Sequence, residues 1–237
     1  MYIILILVGF IAGALSGSVG FGGGMILLPV ITYFYGVEIA VPVATIAQML
    51  SNMSRSAMGW KEIKWKETGL FLITAAPLTA LGSIGFSLVN KRIMTCLLCL
   101  FLIFFSIMKM KKKMQLPKNR KTMLIGGGLT GLFNGMLGIS GPLSSAVFLT
   151  LDLSPVSYIA TEATAAAIMH VVKAVVYEQF NLMNMHVFFN GLFIGCAMMA
   201  GNILSMRLIR FAQKDFYRKV VASVMIAVSL WLIIENI

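Results

Sequence analysis

Gly13-Ala14-Leu15-Ser16-Gly17-Ser18-Val19-Gly20-Phe21-Gly22-Gly23 lines up with Gly131-Leu132-Phe133-Asn134-Gly135-Met136-Leu137-Gly138-Ile139-Ser140-Gly141 at an offset of 118 residues. Gly13, Gly17, Gly20 and Gly23 all meet glycines in the second copy. Near the same offset Gly82 meets Gly201, and Arg55 meets Lys173. The chain reads as an internal duplication. Its copies are parted by the longest polar stretch, Lys109-Met110-Lys111-Lys112-Lys113 through Lys118, Arg120 and Lys121. Three regions follow: an N-terminal repeat over 1–108, a basic linker over 109–121 and a C-terminal repeat over 122–237.

Composition says which solvent these repeats fold in. Hydrophobic residues make up 59% of the 237 and charged residues 11%, whereas roughly a quarter of a soluble domain is charged. Five apolar segments are expected before the linker, at about 2–17, 22–36, 39–59, 68–90 and 92–109. Five more are expected after it, at about 122–137, 142–153, 156–179, 184–206 and 216–235. A bilayer needs apolar runs of about 20 residues, so the fold class is all-α integral membrane. Little chain remains for a soluble catalytic module, and no enzyme is expected. The opening Met1-Tyr2-Ile3-Ile4-Leu5 lacks the basic region of a signal peptide and reads as a retained membrane element.

The net charge of +11 does not imply nucleic acid. The cations fall between apolar runs, and no basic helix face interleaved with aromatics is present. They report topology instead. If the first two segments of each half enter and leave on one side, 15 of the 19 Lys and Arg share one face, the linker among them. The positive-inside bias then makes that face cytoplasmic and each half an odd number of crossings. Odd halves are antiparallel, an inverted-topology repeat of two five-segment halves, with both termini outside the cytoplasm. The expected location is the cell (inner) membrane, crossed many times. Segments 2–17 and 22–36 reach only about 24 and 22 Å as helices. That is short of a hydrocarbon core about 30 Å thick. Two readings of each first pair stay open, a pair that spans and a re-entrant hairpin with Ser18–Gly24 and Met136–Pro142 at the tips.

The tips are the first candidate site. Gly20, Gly22, Gly23 and Gly24, with Gly138, Ser140 and Gly141 in the other half, let the chain turn and let a ligand approach backbone N–H groups. A helix starting after such a turn directs its positive dipole end at the tip. Close helix packing is the structural alternative for the same glycines.

Arg55 and Lys173 are the second candidate. A cation inside a membrane helix needs a cavity or a partner, and snorkelling is the alternative. Thr45, Gln48 and Asn52 share a helical face with Arg55. Glu162, Ala166, His170 and Tyr177 share one with Lys173.

Glu162 and His170 are the third, as groups able to pass protons. The alternative for Glu162 is an acid suited to a helix start. Thr45 and Thr164 offer hydroxyls to a substrate oxygen, although membrane threonines more often bond back to their own helix. Cys96, Cys99 and Cys196 lie in apolar runs and read as small hydrophobes. No metal site or cofactor is expected.

A chain of this size whose halves each open with Gly-x-x-x-Gly-x-x-Gly, followed here by Gly22-Gly23-Gly24, Leu28-Pro29 and later Ala44-Thr45, resembles the TauE/SafE family of sulfite and organosulfonate exporter permeases. The likeness covers nearly the whole chain. It implies transport of a small sulfur-containing anion such as sulfite, thiosulfate or an organosulfonate, without enzymatic turnover. The second copy departs from the motif, with Ser140 and Pro142 where the first has Gly22 and Gly24. The expected partners are therefore a small anionic solute and membrane lipid. A homodimer is compatible with the chain, though nothing in it argues for one. Two other readings stay open: a carrier of a different small metabolite or cation centred on Glu162 and His170, and a non-transporting membrane subunit or thiol relay using Cys96 and Cys99.

Overall fold

In lipid every backbone N–H and C=O must be satisfied within the segment that carries it, and the apolar runs fold accordingly. A computed structural model describes residues 2–19, 23–110 and 116–208, and among these every regular element is helical. The helices are α1 (Tyr2–Val19), α2 (Gly23–Met58), α3 (Trp65–Leu88), α4 (Lys91–Met110), α5 (Arg120–Leu137), α6 (Gly141–Phe148), α7 (Pro155–Gln179) and α8 (Met185–Leu208). Single 3-10 turns cover Trp60–Glu62 and Leu149–Leu151. The expected segment at about 216–235, Gly20 and Gly22 of the first tip, and Lys111–Lys113 of the linker lie outside the described residues.

Four helices among the described residues are long and apolar enough to cross a membrane: α2, α3, α7, and α8 over Met185–Met206. The apolar helices at Tyr2–Ser18 and Gly141–Leu151 are shorter, where each half was expected to open with short segments. The expected break between segments 22–36 and 39–59 falls at Gly36, whose φ of 72° and ψ of 163° are not helical and divide α2 into two helical stretches. Their counterparts in the second half are separated by a turn. There the chain leaves α6, turns through Asp152 in the left-handed region (φ 55°) and enters α7. Ser154 caps α7 by accepting a hydrogen bond from Ser157 N, and Pro155 occupies its first turn.

The packing crosses between halves. The most extensive contact is α3 on α5, followed by α1 on α8. Next come α2 on α8 and on α7, then α3 on α7. Motif glycines permit the first two contacts. A Cβ on Gly131 of α5 would fall on the Ala75 carbonyl of α3, and one on Gly13 of α1 on the Met198 carbonyl of α8.

The distribution of polarity is that of a bundle in lipid. Ile73 of α3, Ile125 of α5 and Phe193 of α8 are 61–64% exposed. Arg55, Glu162, His170, Lys173, Asn134 and Asn202 are buried. Trp60 and Trp65 are exposed beside Lys61, Lys64 and Lys66, their rings edge to face at 4.9 Å. Such an amphipathic pair suits a membrane boundary.

Candidate functional site

α2 and α7 run side by side through the centre, and hydrogen bonds lace their ends together. Ser56 Oγ meets Thr164 Oγ1 at 2.7 Å, and Lys64 N donates to Thr161 Oγ1 at 3.1 Å. Ser157 Oγ donates to the Glu62 carbonyl at 2.7 Å. This lacing places Arg55 of α2 opposite Glu162 of α7. The guanidinium Nη1 lies 3.6 Å from the carboxylate Oε2, and both side chains are buried, 4% and 2% exposed. Arg55 therefore does not snorkel. It also donates to the Ser16 carbonyl at 3.3 Å and to Asn52 Oδ1. Glu162 accepts from Ser144 Oγ of α6 at 2.7 Å. It stands two turns into α7, beyond the reach of the helix-end dipole, so partners rather than the dipole hold its charge.

These groups line a cavity where the two tips meet. Ser16, Gly23, Gly24, Gln48, Asn52 and Arg55 come from the first half; Ile139, Ser140, Gly141 and Glu162 come from the second. The cavity measures about 20 Å³, room for about one water. Gln48 occupies the space between the tips. Its Oε1 lies against Gly24, and its Nε2 donates to the Gly138 carbonyl at 3.2 Å.

The remaining expected residues fall into two sets. Thr45 donates to the Val41 carbonyl and Thr164 to the Ala160 carbonyl, each at 2.7 Å. Both hydroxyls are engaged by their own helix, and neither lines the cavity. Lys173 and His170 are fully buried, yet they too stand outside the lining. Lys173 Nζ donates to the Asn134 carbonyl at 3.3 Å. Among the described residues, the two His170 ring nitrogens have no hydrogen-bond partner. Gly138 contributes its carbonyl to Gln48 and turns the chain at φ 75° just after α5. Gly20 and Gly22 lie outside the described residues. Cys96, Cys99 and Cys196 are free thiols, and none of them lines the cavity.

A sequence model of the family described as sulfite exporter TauE/SafE matches residues 5–232. The chain belongs to the sulfite exporter TauE/SafE family. This is a family of membrane transporters, not of enzymes. Among the relatives of this TauE/SafE chain is "Probable membrane transporter protein MJ0441" of Methanocaldococcus jannaschii. It is 29% identical over 175 residues, which cover 65% of this chain and 63% of the relative. "Probable membrane transporter protein YunE" of Bacillus subtilis is 22% identical over 130 residues, covering 50% and 48%. The chain thus spans about half to somewhat under two thirds of the lengths of these two relatives. No solved structure matches it.

Several residues in and around the candidate site were not singled out from sequence. Ser144 gave no signal beyond its place one turn after the second tip. Ser16 and Asn134 did give one. They occupy the same position of the duplicated motif, and each presents its carbonyl to the cation at the matching offset.

Proposed function

We propose that this chain is a secondary transporter that carries a small sulfur-containing anion, such as sulfite, thiosulfate or an organosulfonate, through the cavity between its two tips. The observation that carries the reading is Arg55, a buried guanidinium facing a cavity formed by both glycine-rich tips. A guanidinium offers a planar fork of donors to an oxyanion, and Gln48 and Asn52 add amide donors beside it. The starts of α2 and α6 line the same space, which suits negative charge. The sulfur chemistry is supported by the family description.

Because the cavity is nearly filled, an anion enters only when the Gln48 amide swings out from between the tips. Because Glu162 already pairs with Arg55, the anion also competes with a carboxylate for the guanidinium. A proton on Glu162 removes that competitor. Proton arrival and anion binding are thereby linked at one ion pair. His170, eight residues along α7, is about 12 Å away along the axis, where it would pass the proton onward.

The same proposal includes an inverted repeat. Its support is the exchange of partners: the opening helix of each half packs on the α3 or α8 helix of the other half, with α2 against α7 between them. The charge bias adds the orientation, with the linker cytoplasmic. A cysteine replacing Lys118 is then modified by a membrane-impermeant reagent from that face alone; modification from the opposite face reverses the orientation.

Two competing readings lose ground at the site. A cation carrier would use Glu162, which Arg55 and Ser144 already hold. A thiol relay would use Cys96 and Cys99, which are away from the cavity lining.

The test is equilibrium binding of radiolabelled sulfite and thiosulfate to the purified protein and to Arg55→Met. Binding by the parent that falls at least about tenfold in the variant is the expected result. Equal binding by a folded Arg55→Met rejects Arg55 as the anion's partner.

A further inference from the structure

The two membrane cations occupy matching positions of the duplication, and each grips the same point of its own half. Arg55 Nη1 donates to the Ser16 carbonyl at 3.3 Å; Lys173 Nζ donates to the Asn134 carbonyl at 3.3 Å. Ser16 and Asn134 are themselves 118 residues apart, as are Arg55 and Lys173. Both carbonyls lie in the closing turn of the helix that leads to a tip. Carbonyls there point beyond the helix, and the dipole end they form is negative, so a cation suits them.

In the second half the grip is doubled. Tyr177, one turn beyond Lys173, donates its hydroxyl to the next carbonyl, Gly135, at 3.0 Å. Lys173 Nζ sits 5.6 Å above the Tyr177 ring, and a Cβ on Gly138 would lie 3.4 Å from the ammonium. Beyond this turn the chain passes through Gly138 into Ile139, Ser140 and Gly141, which line the cavity. The likeness of the two halves ends there. Arg55 also faces the cavity and pairs with Glu162, whereas Lys173 reaches neither the cavity nor, among the described residues, any carboxylate.

We infer that Lys173, with Tyr177, is a positioning residue that ties the end of α5 to α7 and so moves the second tip with α7 during transport, while Arg55 alone of the two cations meets the substrate. The inference rests on the transport reading above for its kinetic consequence, but not for the tie itself. Lys173 acts on translocation through Asn134, Gly138 and the tip, not through the anion's charge.

Two measurements on the full-length purified protein test it. The first is amide hydrogen exchange over residues 134–141 in Lys173→Met, with no solute present. Exchange that speeds at least about tenfold relative to the parent is expected, since opening of that turn sets the rate; unchanged exchange overturns the tie. The second is thiosulfate uptake into proteoliposomes. Lys173→Met is expected to keep KM within about threefold while the maximal rate falls at least about tenfold, and Lys173→Arg to restore most of the rate. A raised KM at an unchanged maximal rate makes Lys173 a substrate contact and overturns the assignment. Should Lys173→Met not fold, Tyr177→Phe decides by the same two readouts, with smaller changes of the same kind expected and none in either overturning the tie. A parent that neither binds nor carries any sulfur anion strikes the transport reading, and the exchange experiment still decides the tie.

Discussion

Arg55 and Glu162 carry opposite charges into a place that water barely reaches, and each makes the other tolerable. Removing one partner of a buried ion pair leaves an uncompensated charge and costs about 3–5 kcal/mol, whereas replacing both with apolar groups is often close to neutral. Glu162→Ala is therefore expected to lower the thermal transition of the protein in detergent, and Arg55→Met combined with Glu162→Leu to recover most of that loss. A double variant as unstable as the sum of its singles contradicts the pairing. Sequence reading selected both residues, because a charge on an apolar helix stands out. It did not join them, because they lie in different halves and only the lacing of α2 to α7 brings them together. It also grouped Lys173 with Arg55 as an anion ligand from their shared offset. The two cations do reach carbonyls at that same offset, and Arg55 lines the cavity while Lys173 does not.

Helices in this bundle meet at distances that side chains would forbid. The motif that reads as a ligand-binding run divides by position: Gly13 and Gly131 let α1 and α5 press on the backbones of α8 and α3, while Gly23, Gly24 and Gly141 line the cavity. Period and offset could not separate these roles, since close packing and ligand approach both demand a missing side chain. Gly131→Leu places atoms on the Ala75 carbonyl and is expected to destabilise the protein by at least the ~1–3 kcal/mol typical of overpacking. Gly36→Ala is a separate case. Nothing stands within 4 Å of the added methyl, so its cost is conformational alone, about 1–3 kcal/mol for a backbone region nearly closed to other residues. Thermal unfolding of both variants checks these values; an unchanged transition for Gly36→Ala would deny the break in α2.

On the scale of the molecule, a single offset suggested the repeat, and the membrane class was legible from hydropathy. The exchange of partners between halves was not, because a repeat shows that two units are alike without showing which surfaces they share. The bond from Gln48 to Gly138 across the tips was not legible either, since it depends on an amide reaching a carbonyl in the other half. Under the proposed function these features make up one anion site whose ion pair couples it to protons. Uptake of radiolabelled sulfite, thiosulfate and a simple sulfonate into proteoliposomes, with and without an imposed proton gradient, tests that claim most directly. Saturable uptake of at least one, faster when the side of entry is acidic and indifferent to the gradient in Glu162→Gln, is the predicted result. No uptake of any of the three by protein shown to be folded, or a gradient response that survives in Glu162→Gln, would contradict it.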